Sequence, residues 1–197
     1  MVAPGSRNIW TTNSTTGTGT TFSLGNLSTD QQDAMNRGLD GAVDNLGSNR
    51  IDWLRGSETA HASFRSRSES GAARLLGDIV HSSPQYAGKR NFGYGLLPGA
   101  EGASYITFRN SGAYQSRPDV IYTGANDGML HAFNALTGDE IFAYIPSELL
   151  LPEAGTTYAR INRLMDPDYS HRYFNDGTSA VGDAYWGGNW NTVLVGS

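Results

Sequence analysis

Aspartate, histidine and serine lie close together at Asp78, His81, Ser82 and Ser83, and these are the residue types of a hydrolytic triad. In a triad the histidine acts as the base that activates a serine hydroxyl for nucleophilic attack. These serines lack the Gly-x-Ser-x-Gly pattern that places the nucleophile on a sharp turn in the α/β-hydrolases. We therefore predict no catalytic residue here, and expect His81 to lie on a strand, hydrogen-bonded in or near the core.

Two short acidic segments have side chains that calcium accepts as ligands: Asp-Pro-Asp at residues 166–168 and Asn-Asp-Gly at residues 175–177. An EF-hand loop alternates oxygen ligands and has glycine at its sixth position, but counting from Asp166 places His171 there. The sequence has no cysteine, which excludes disulfides, thiolate metal sites and cysteine nucleophiles. We predict solvated turns in both segments, and neither a metal site nor a cofactor site in this chain.

Three aromatic residues, Tyr185, Trp186 and Trp190, lie beside a pair of glycines near the end of the sequence. Exposed aromatic side chains can contact a sugar or another surface, and buried ones can pack between sheet units. Both alternatives stay open. The turn chemistry of Asn-Asp-Gly at residues 126–128 explains those three residues without a ligand. His131 follows the alternation of its strand, so we predict a packing role for it.

Composition excludes several classes of protein. The formal net charge is −5 and Lys89 is the only lysine, so the sequence has no basic stripe that would bind nucleic acid. The hydrophobic fraction of 38% is too high for a disordered chain, and no apolar run approaches the ~20 residues of a membrane-spanning helix. The 25 glycines, together with ten tyrosines, favour a domain of short strands and tight turns.

The clearest structural signal is a three-stranded meander. Residues 120–124 are rich in β-branched side chains, an Asp-Gly turn follows, and residues 129–134 form the second strand. A Thr-Gly turn leads to the third strand at residues 140–145, which Pro146 ends because it cannot donate to a ladder. Residues 147–175 are predicted to be an insertion that begins with a helical turn.

The segments before the meander are predicted to be irregular, with short helices. Residues 11–21 are nearly all Thr, Ser, Gly and Asn, which favours a surface loop or linker. Thr29 and Gln32 are spaced as a capping box for a short helix. Residues 50–56 indicate a brief helical turn closed by glycine. A further strand is expected at residues 77–80.

An internal similarity indicates a repeated unit. Residues 120–124 resemble residues 193–196, at an offset of 72 residues, and strands are expected at residues 178–184 and 191–196. A meander buries one face and needs neighbouring units to cover it. We therefore expect the chain to be a fragment whose further blades follow Ser197, and we expect the isolated chain to self-associate.

Several motifs, in order, resemble the PilY/PilC-type pilus tip proteins. They are Ile-Asp-Trp-Leu-Arg-Gly at residues 51–56, Leu-Leu-Gly-Asp-Ile-Val-His-Ser-Ser-Pro at 75–84, Gly-Ala-Asn-Asp-Gly-Met-Leu-His-Ala-Phe at 124–133 with its continuation to 146, and His-Arg-Tyr-Phe at 171–174. The closing Val-Leu-Val-Gly at residues 193–196 fits the point where the family continues into more propeller. The resemblance covers roughly residues 50–196.

The resemblance implies a mainly β fold, a partial β-propeller of antiparallel meander blades with short helices and long loops. Residues 1–49 are predicted to be a loop-rich N-terminal segment with a short helix, and residues 50–197 an incomplete PilY-type propeller region. The family acts without catalysis in adhesion, pilus assembly and twitching motility at the pilus tip or outer membrane. The implied partners are minor pilins, a host or abiotic surface and the missing blades; calcium is expected only in a later loop of the full-length protein.

One alternative comes from another class. The sequence Ala-Asn-Asp-Gly with the following Ala-Phe-Asn-Ala-Leu-Thr-Gly, between residues 125 and 138, also resembles blades of quinoprotein dehydrogenases. Those enzymes often use a vicinal cysteine pair and a calcium ion against their quinone cofactor, and this chain has no cysteine. A scaffold propeller of an unrelated pathway is a third alternative.

Overall fold

The computed structural model describes residues 3–69 and 72–196. The helices are α1 (Thr29–Met35), α2 (Gly47–Arg55), α3 (Gly99–Asn110) and α4 (Gly112–Ser116), and 3₁₀ helices lie at Pro4–Ser6, Leu24–Asn26, Tyr94–Leu96, Ser147–Leu150 and Arg160–Met165. The strands are β1 (Ile9–Thr12), β2 (Gly19–Thr21), β3 (Ser68–Glu69), β4 (Ala72–Ala73), β5 (Gln85–Ala87), β6 (Val120–Ala125), β7 (Met129–Asn134), β8 (Glu140–Tyr144), β9 (Ala180–Trp186) and β10 (Asn189–Val195). No described helix has the length and apolar character needed to cross a membrane.

Strands β5 to β8 form one antiparallel blade, within a six-stranded sheet of order β2-β1-β8-β7-β6-β5. The predicted meander is confirmed: β6 pairs with β7 from Val120↔Asn134 to Ala125↔Met129, and β7 pairs with β8. Gly128 has φ +88° at the tight turn between β6 and β7, a conformation that favours glycine. The chain therefore has the partial β-propeller fold that its sequence predicts.

The N-terminal segment extends this blade, and the prediction of a loop at residues 11–21 holds only for residues 13–18, because β1 ends at Thr12 and β2 begins at Gly19. Strand β1 runs parallel to β8 with Ile9↔Ala143 and Trp10↔Tyr144 paired, and β2 adds to β1 as a hairpin. The Thr11 hydroxyl donates to the carbonyl of Ile145 at 2.8 Å, so a polar residue is satisfied inside the sheet. The division between residues 49 and 50 stays a prediction, while both parts share this sheet.

The hydrophobic core lies between the blade and the short helices. It combines residues from the N-terminal segment, from α2, from the blade and from the 3₁₀ helices, namely Ile9, Phe22, Leu27, Ala34, Met35, Ile51, Trp53, Leu54, Met129, Ala143, Ile145, Leu149, Leu150, Ala159, Ile161, Leu164 and Met165. All of these side chains are buried. Helical segments of the same chain therefore cover one side of the blade, which removes that apolar surface from water.

Two predicted helix signals are present with small shifts. The capping box begins one residue earlier than predicted, because Ser28 rather than Thr29 accepts from the backbone of Gln31, whose side chain bonds back to Ser28. Helix α2 begins at Gly47 and ends before Gly56, which has φ +114° as a left-handed C-cap. The predicted closure of this helix by glycine is confirmed.

A second sheet consists of the hairpin β9–β10, from Ala180↔Val195 to Trp186↔Asn189. The strands predicted near residues 178–184 and 191–196 are thus present. Within the described residues, β9 is the only strand that pairs with β10. The strand predicted at residues 77–80 is wrong, because the carbonyl of Asp78 accepts from Asn126 at the β6–β7 turn instead of joining a ladder. Strand β5 takes the place beside β6.

Candidate functional site

The side chains of Asp78, His81 and Ser82, whose residue types are those of a triad, have separate partners. The Ser82 hydroxyl accepts from the backbone of Gly124 at 2.9 Å, and Asp78 accepts from His171 at 2.8 Å. The His81 ring bonds to Asp176 instead. The side chain of His81 is 67% exposed and lies outside any strand, so its predicted position in or near the core is wrong. Each of the three groups has a structural partner of its own.

The turn at residues 126–128 connects three segments of the chain. The side chain of Asn126 donates to Asp78 at 3.0 Å and accepts from the backbone of Phe174 at 3.1 Å. Asp127 accepts from the backbone of Gly77 at 2.9 Å and from that of Met129 at 3.1 Å. The predicted turn is confirmed, and its side chains also hold the flanking loops against the blade.

A buried ionic network lies behind this turn. Both ring nitrogens of His131 meet carboxylates, Nδ1 at 2.8 Å from Glu140 and Nε2 at 3.0 Å from Asp127. Arg7 donates twice to Glu140, each time at 2.7 Å, as a bidentate pair. The side chains of Arg7, Glu140 and His131 are only 2–3% exposed. Packing alone, which the sequence predicts for His131, therefore describes only part of its role.

Arg7 and Glu140 also belong to this network, and the sequence patterns did not indicate either residue. Glu140 begins β8, where its alternation with Phe142 gives no sign of a buried charge. Arg7 is 133 residues away along the chain, and its guanidinium also donates to the carbonyls of Leu54 and Arg55 at 3.3 Å, at the end of α2. The sequence contained one signal for Arg7. This arginine lies in an N-terminal stretch of small, polar and apolar residues, and a charge in such a stretch suggests a specific partner.

The network shifts the pKa values of both its titrating partners. Burial by itself would lower the pKa of His131, but the charges and hydrogen bonds of Asp127 and Glu140 outweigh burial and raise it to about 9. Burial would raise the pKa of Glu140, but hydrogen bonds and charges from Arg7 and His131 outweigh burial and lower it to about 2. In the folded protein His131 is therefore a cation and Glu140 an anion near neutral pH.

These shifts predict a stability maximum at mildly acidic pH. The stabilisation from Glu140 is complete above its ordinary pKa of 4.5 and is lost as pH falls toward 2, because the folded pKa is depressed. The stabilisation from His131 is complete below its ordinary pKa of 6.5 and is lost as pH rises through about 9, because the folded pKa is raised. We expect the melting temperature to peak between about pH 4.5 and 6.5.

Thermal melts across pH 3 to 10 on the wild type and His131→Gln would check this. The variant should have a lower melting temperature than the wild type. Above pH 6.5, its melting temperature should fall much less with rising pH than that of the wild type. The groups facing His131 are Asp127, Glu140 and, through Glu140, Arg7, with Phe133 stacked on the ring at 5.5 Å. Parallel pH profiles for the two proteins on the alkaline side would contradict the assignment.

Neither acidic segment gathers ligands for a metal. Within residues 3–69 and 72–196, no three His, Cys, Asp or Glu side chains are placed so that they could hold a metal ion. Asp166 accepts from the backbone of Asp168 at 3.0 Å, which is the local bond of an Asx turn. Asp176 accepts from the backbone of His81 at 3.0 Å. Both carboxylates thus hold loops.

The aromatic residues of the β9–β10 hairpin divide between the two alternatives. Trp190 is buried, with ring centroids 5.3 Å from Tyr94 and 4.6 Å from Tyr105, and its indole donates to Ser104 at 2.9 Å. This side chain packs the hairpin onto α3. Tyr185 is 44% exposed and Trp186 is 53% exposed, so these two present aromatic surface to solvent. They are the candidates for a contact with another molecule.

Comparison with known proteins identifies the family. A sequence model described as the PilY1 beta-propeller domain matches residues 76–197. The chain belongs to the PilY1 β-propeller family. The resemblance to PilY/PilC-type proteins is thereby confirmed. Blade strands β5 to β8 and the hairpin β9–β10 lie in the matched range, whereas β1 to β4 precede it.

Individual relatives extend the similarity to the N-terminal segment. Type IV pilus biogenesis factor PilY1 of Pseudomonas aeruginosa is 38% identical over 184 residues in strain PAK, covering 89% of this chain and 14% of the relative. The PilY1 of strain UCBPP-PA14 is 37% identical, covering 99% of this chain and 16% of the relative. A PilY1 homolog of Xylella fastidiosa is 36% identical, covering 79% of this chain and 11% of the relative. The chain thus spans 11–16% of the length of these relatives, and no solved structure matches it.

Proposed function

We propose that this chain is a non-enzymatic propeller region of a type IV pilus biogenesis factor. The observation that carries the proposal is the match of residues 76–197 to the PilY1 propeller, which coincides with the blade β5–β8 and the hairpin β9–β10. Relatives along 79–99% of the chain are named as pilus biogenesis factors or their homologs. The region supports pilus assembly, twitching motility and attachment to surfaces.

The proposed place of action is the pilus tip or the outer membrane, as part of a longer secreted protein. Its partners are minor pilins, a host or abiotic surface and the remaining blades of the propeller. The exposed rings of Tyr185 and Trp186 support the attachment role, because large aromatic side chains supply much of the energy of many protein contacts. The quinoprotein alternative has no such support from the contacts described above.

A paired variant in the full-length protein tests the attachment role. We expect Tyr185→Ala with Trp186→Ala to lower surface attachment about fivefold or more, because truncation of a contact aromatic commonly costs more than ~1 kcal/mol. The number of surface pili and the twitching zone should stay unchanged, since both rings are exposed. The matched control is Leu136→Ala, at a residue that is 93% exposed between β7 and β8. Equal attachment by the pair and the control would remove the role of these rings.

The wider proposal has its own tests. Deletion of residues 76–197 from the full-length protein should reduce piliation, twitching and attachment together, and unchanged values of all three would refute it. Titration of the chain with pyrroloquinoline quinone should show no saturable binding. A stoichiometric complex with that cofactor would favour the dehydrogenase alternative instead.

A further inference from the structure

An open cleft of about 340 Å³ lies between α2, the segment at residues 65–68, the segment at residues 74–78 and the β6–β7 turn. Three arginines line it, Arg65, Arg67 and Arg74, together with two aspartates, Asp78 and Asp127. Leu75 and the exposed Leu76 contribute apolar surface. No role described above uses this cleft as a whole, and its charges decide what it can bind.

Most charged groups in the cleft already have partners. Arg67 donates to Glu58 at 2.8 Å, and Arg74 is also engaged. Asp127 is paired with His131, and Asp78 with His171. The Arg67–Glu58 and His131–Asp127 pairs balance their charges, and the carboxylate of Asp78 is engaged in hydrogen bonds with Asn126 and His171, so these groups offer little net attraction to a ligand.

Arg65 is the exception. Its Nε donates to the carbonyl of Leu164 at 2.9 Å, and its guanidinium lies 4.3 Å from the ring centroid of Tyr169 and 5.7 Å from that of Trp53. Within the described residues, no carboxylate lies within ion-pair distance of Arg65, and its two terminal nitrogens have no acceptor. The aromatic rings and the backbone bond therefore hold a half-buried guanidinium in place, with its outer edge unpaired.

A planar fork of two N–H donors matches a carboxylate. A sugar ring is disfavoured, because guanidinium groups already occupy the aromatic faces: Arg67 lies 3.7 Å from the ring centroid of Trp53, and Arg65 covers Tyr169. A phosphate dianion is disfavoured, because its two charges exceed the single charge of the unpaired Arg65 guanidinium. A singly charged carboxylate beside an apolar group satisfies both Arg65 and the leucine surface.

We propose that this cleft binds a carboxylate carried by an extended peptide, such as an acidic side chain with an apolar neighbour. The guanidinium edge of Arg65 receives the two oxygens, and the apolar neighbour lies against Leu75 and Leu76. This inference does not depend on the pilus function, because it concerns only the chemistry of the cleft.

The indole N–H of Trp53 is a built-in reporter, since it donates to the carbonyl of Arg65 at 2.9 Å. The full chain would be titrated with N-acetyl-Leu-Asp-amide while the indole resonance is followed by ¹H–¹⁵N NMR. We expect a saturable shift, and about tenfold or greater weakening for N-acetyl-Leu-Asn-amide, which lacks the charge that strengthens the hydrogen bonds. Sodium phosphate and N-acetylneuraminate serve as competing anions of other classes.

Variants separate the guanidinium from general effects. Arg65→Gln should abolish the shift and Arg65→Lys should weaken it, because lysine keeps the charge but lacks the planar fork. The control is Arg90→Gln, which removes a guanidinium 5.3 Å from the ring of Phe92 and should leave binding unchanged. If Arg65→Gln fails to fold, the comparison of the two peptides on the wild type still tests whether the cleft recognises the carboxylate. Equal binding of both peptides, no saturable shift, or tighter binding of phosphate or N-acetylneuraminate would overturn the proposal.

Discussion

Glu140→Gln is expected to lower the free energy of unfolding by about 3 to 5 kcal/mol, the range for a buried ion pair that loses one partner. The substitution leaves the size of the side chain unchanged but removes the anion between Arg7 and His131. Both cationic groups are at most 3% exposed, and among the described residues the one carboxylate still paired with either of them would be Asp127, which contacts His131. Urea denaturation followed by circular dichroism would measure the change.

The control is Glu101→Gln, at an exposed glutamate in the first turn of α3, where we expect a loss below about 1 kcal/mol. A double mutant of Arg7→Met with Glu140→Gln should lose less than the sum of the single losses, because the two groups share one interaction. Additive losses, or a Glu140→Gln variant as stable as the control, would mean that the network does not hold the N-terminal segment to the blade.

Gly77→Ala is the second substitution expected to have a large effect, with a loss of about 3 kcal/mol or more. A Cβ atom at this position would lie closer than 3.0 Å to the backbone nitrogen of Asp127 and to the carbonyl carbon of Asn126. Backbone atoms of a tight turn cannot move aside as a flexible side chain can. The clash would displace the turn and with it the contact of Asp127 with His131.

The chain offers a matched control in Gly182→Ala, because an added Cβ meets nothing within 4 Å at that position in β9. We expect this variant to stay within about 1 kcal/mol of the wild type, on either side, as glycine-to-alanine changes do where the backbone permits them. Thermal melting of both variants would decide. Two variants that melt at the same temperature would show that the loop at residues 77–78 does not pack closely on the turn.

The blade was predictable because its signals are local. β-Branched and aromatic residues flank an Asp-Gly turn in β6 and β7, and the turn needs the positive φ that Gly128 has. The strand β1 was not predictable from its own residues, since its threonines also suit a loop. Its place is set by pairing with β8, more than 130 residues away. Tertiary context of this kind overrides local propensity.

Helix α3 shows a different limit. Glycines at positions 99 and 102 lower helix propensity, so the sequence gives no strong helix signal there. The structure explains Gly102, because a Cβ there would come closer than 3.0 Å to the carbonyl oxygen of Leu97. Tyr105 then anchors the helix by donating to Asp183 at 2.9 Å and packing on Trp190. Packing against the hairpin β9–β10 selects this helix.

The candidate site was predictable in part. The turn at residues 126–128 follows from its residue types, whereas the sequence left open whether the aromatic residues beside the glycines are exposed or packed. The partners of His131 could not be predicted, because strand alternation says which face a side chain takes but not which charges it meets. Glu140 lies nine residues after His131, on the next strand of the hairpin, and Asp127 lies in the turn that precedes β7.

The parallel pairing of β1 with β8 has a consequence for the folding pathway. The side-chain hydrogen bonds that hold β1 beside β8 join residues separated by 133 and 134 positions. Docking of β1 on β8 therefore closes one of the longest loops in the chain. Closing such a long loop has an entropic cost, so the pairing of β1 with β8 is expected to form late. Until β1 docks, the outer backbone of β8 is unpaired, and a strand of another molecule can compete for it. Because β1 is synthesised before β8, the segment that covers this edge is already present when β8 forms, and its docking ends the exposure.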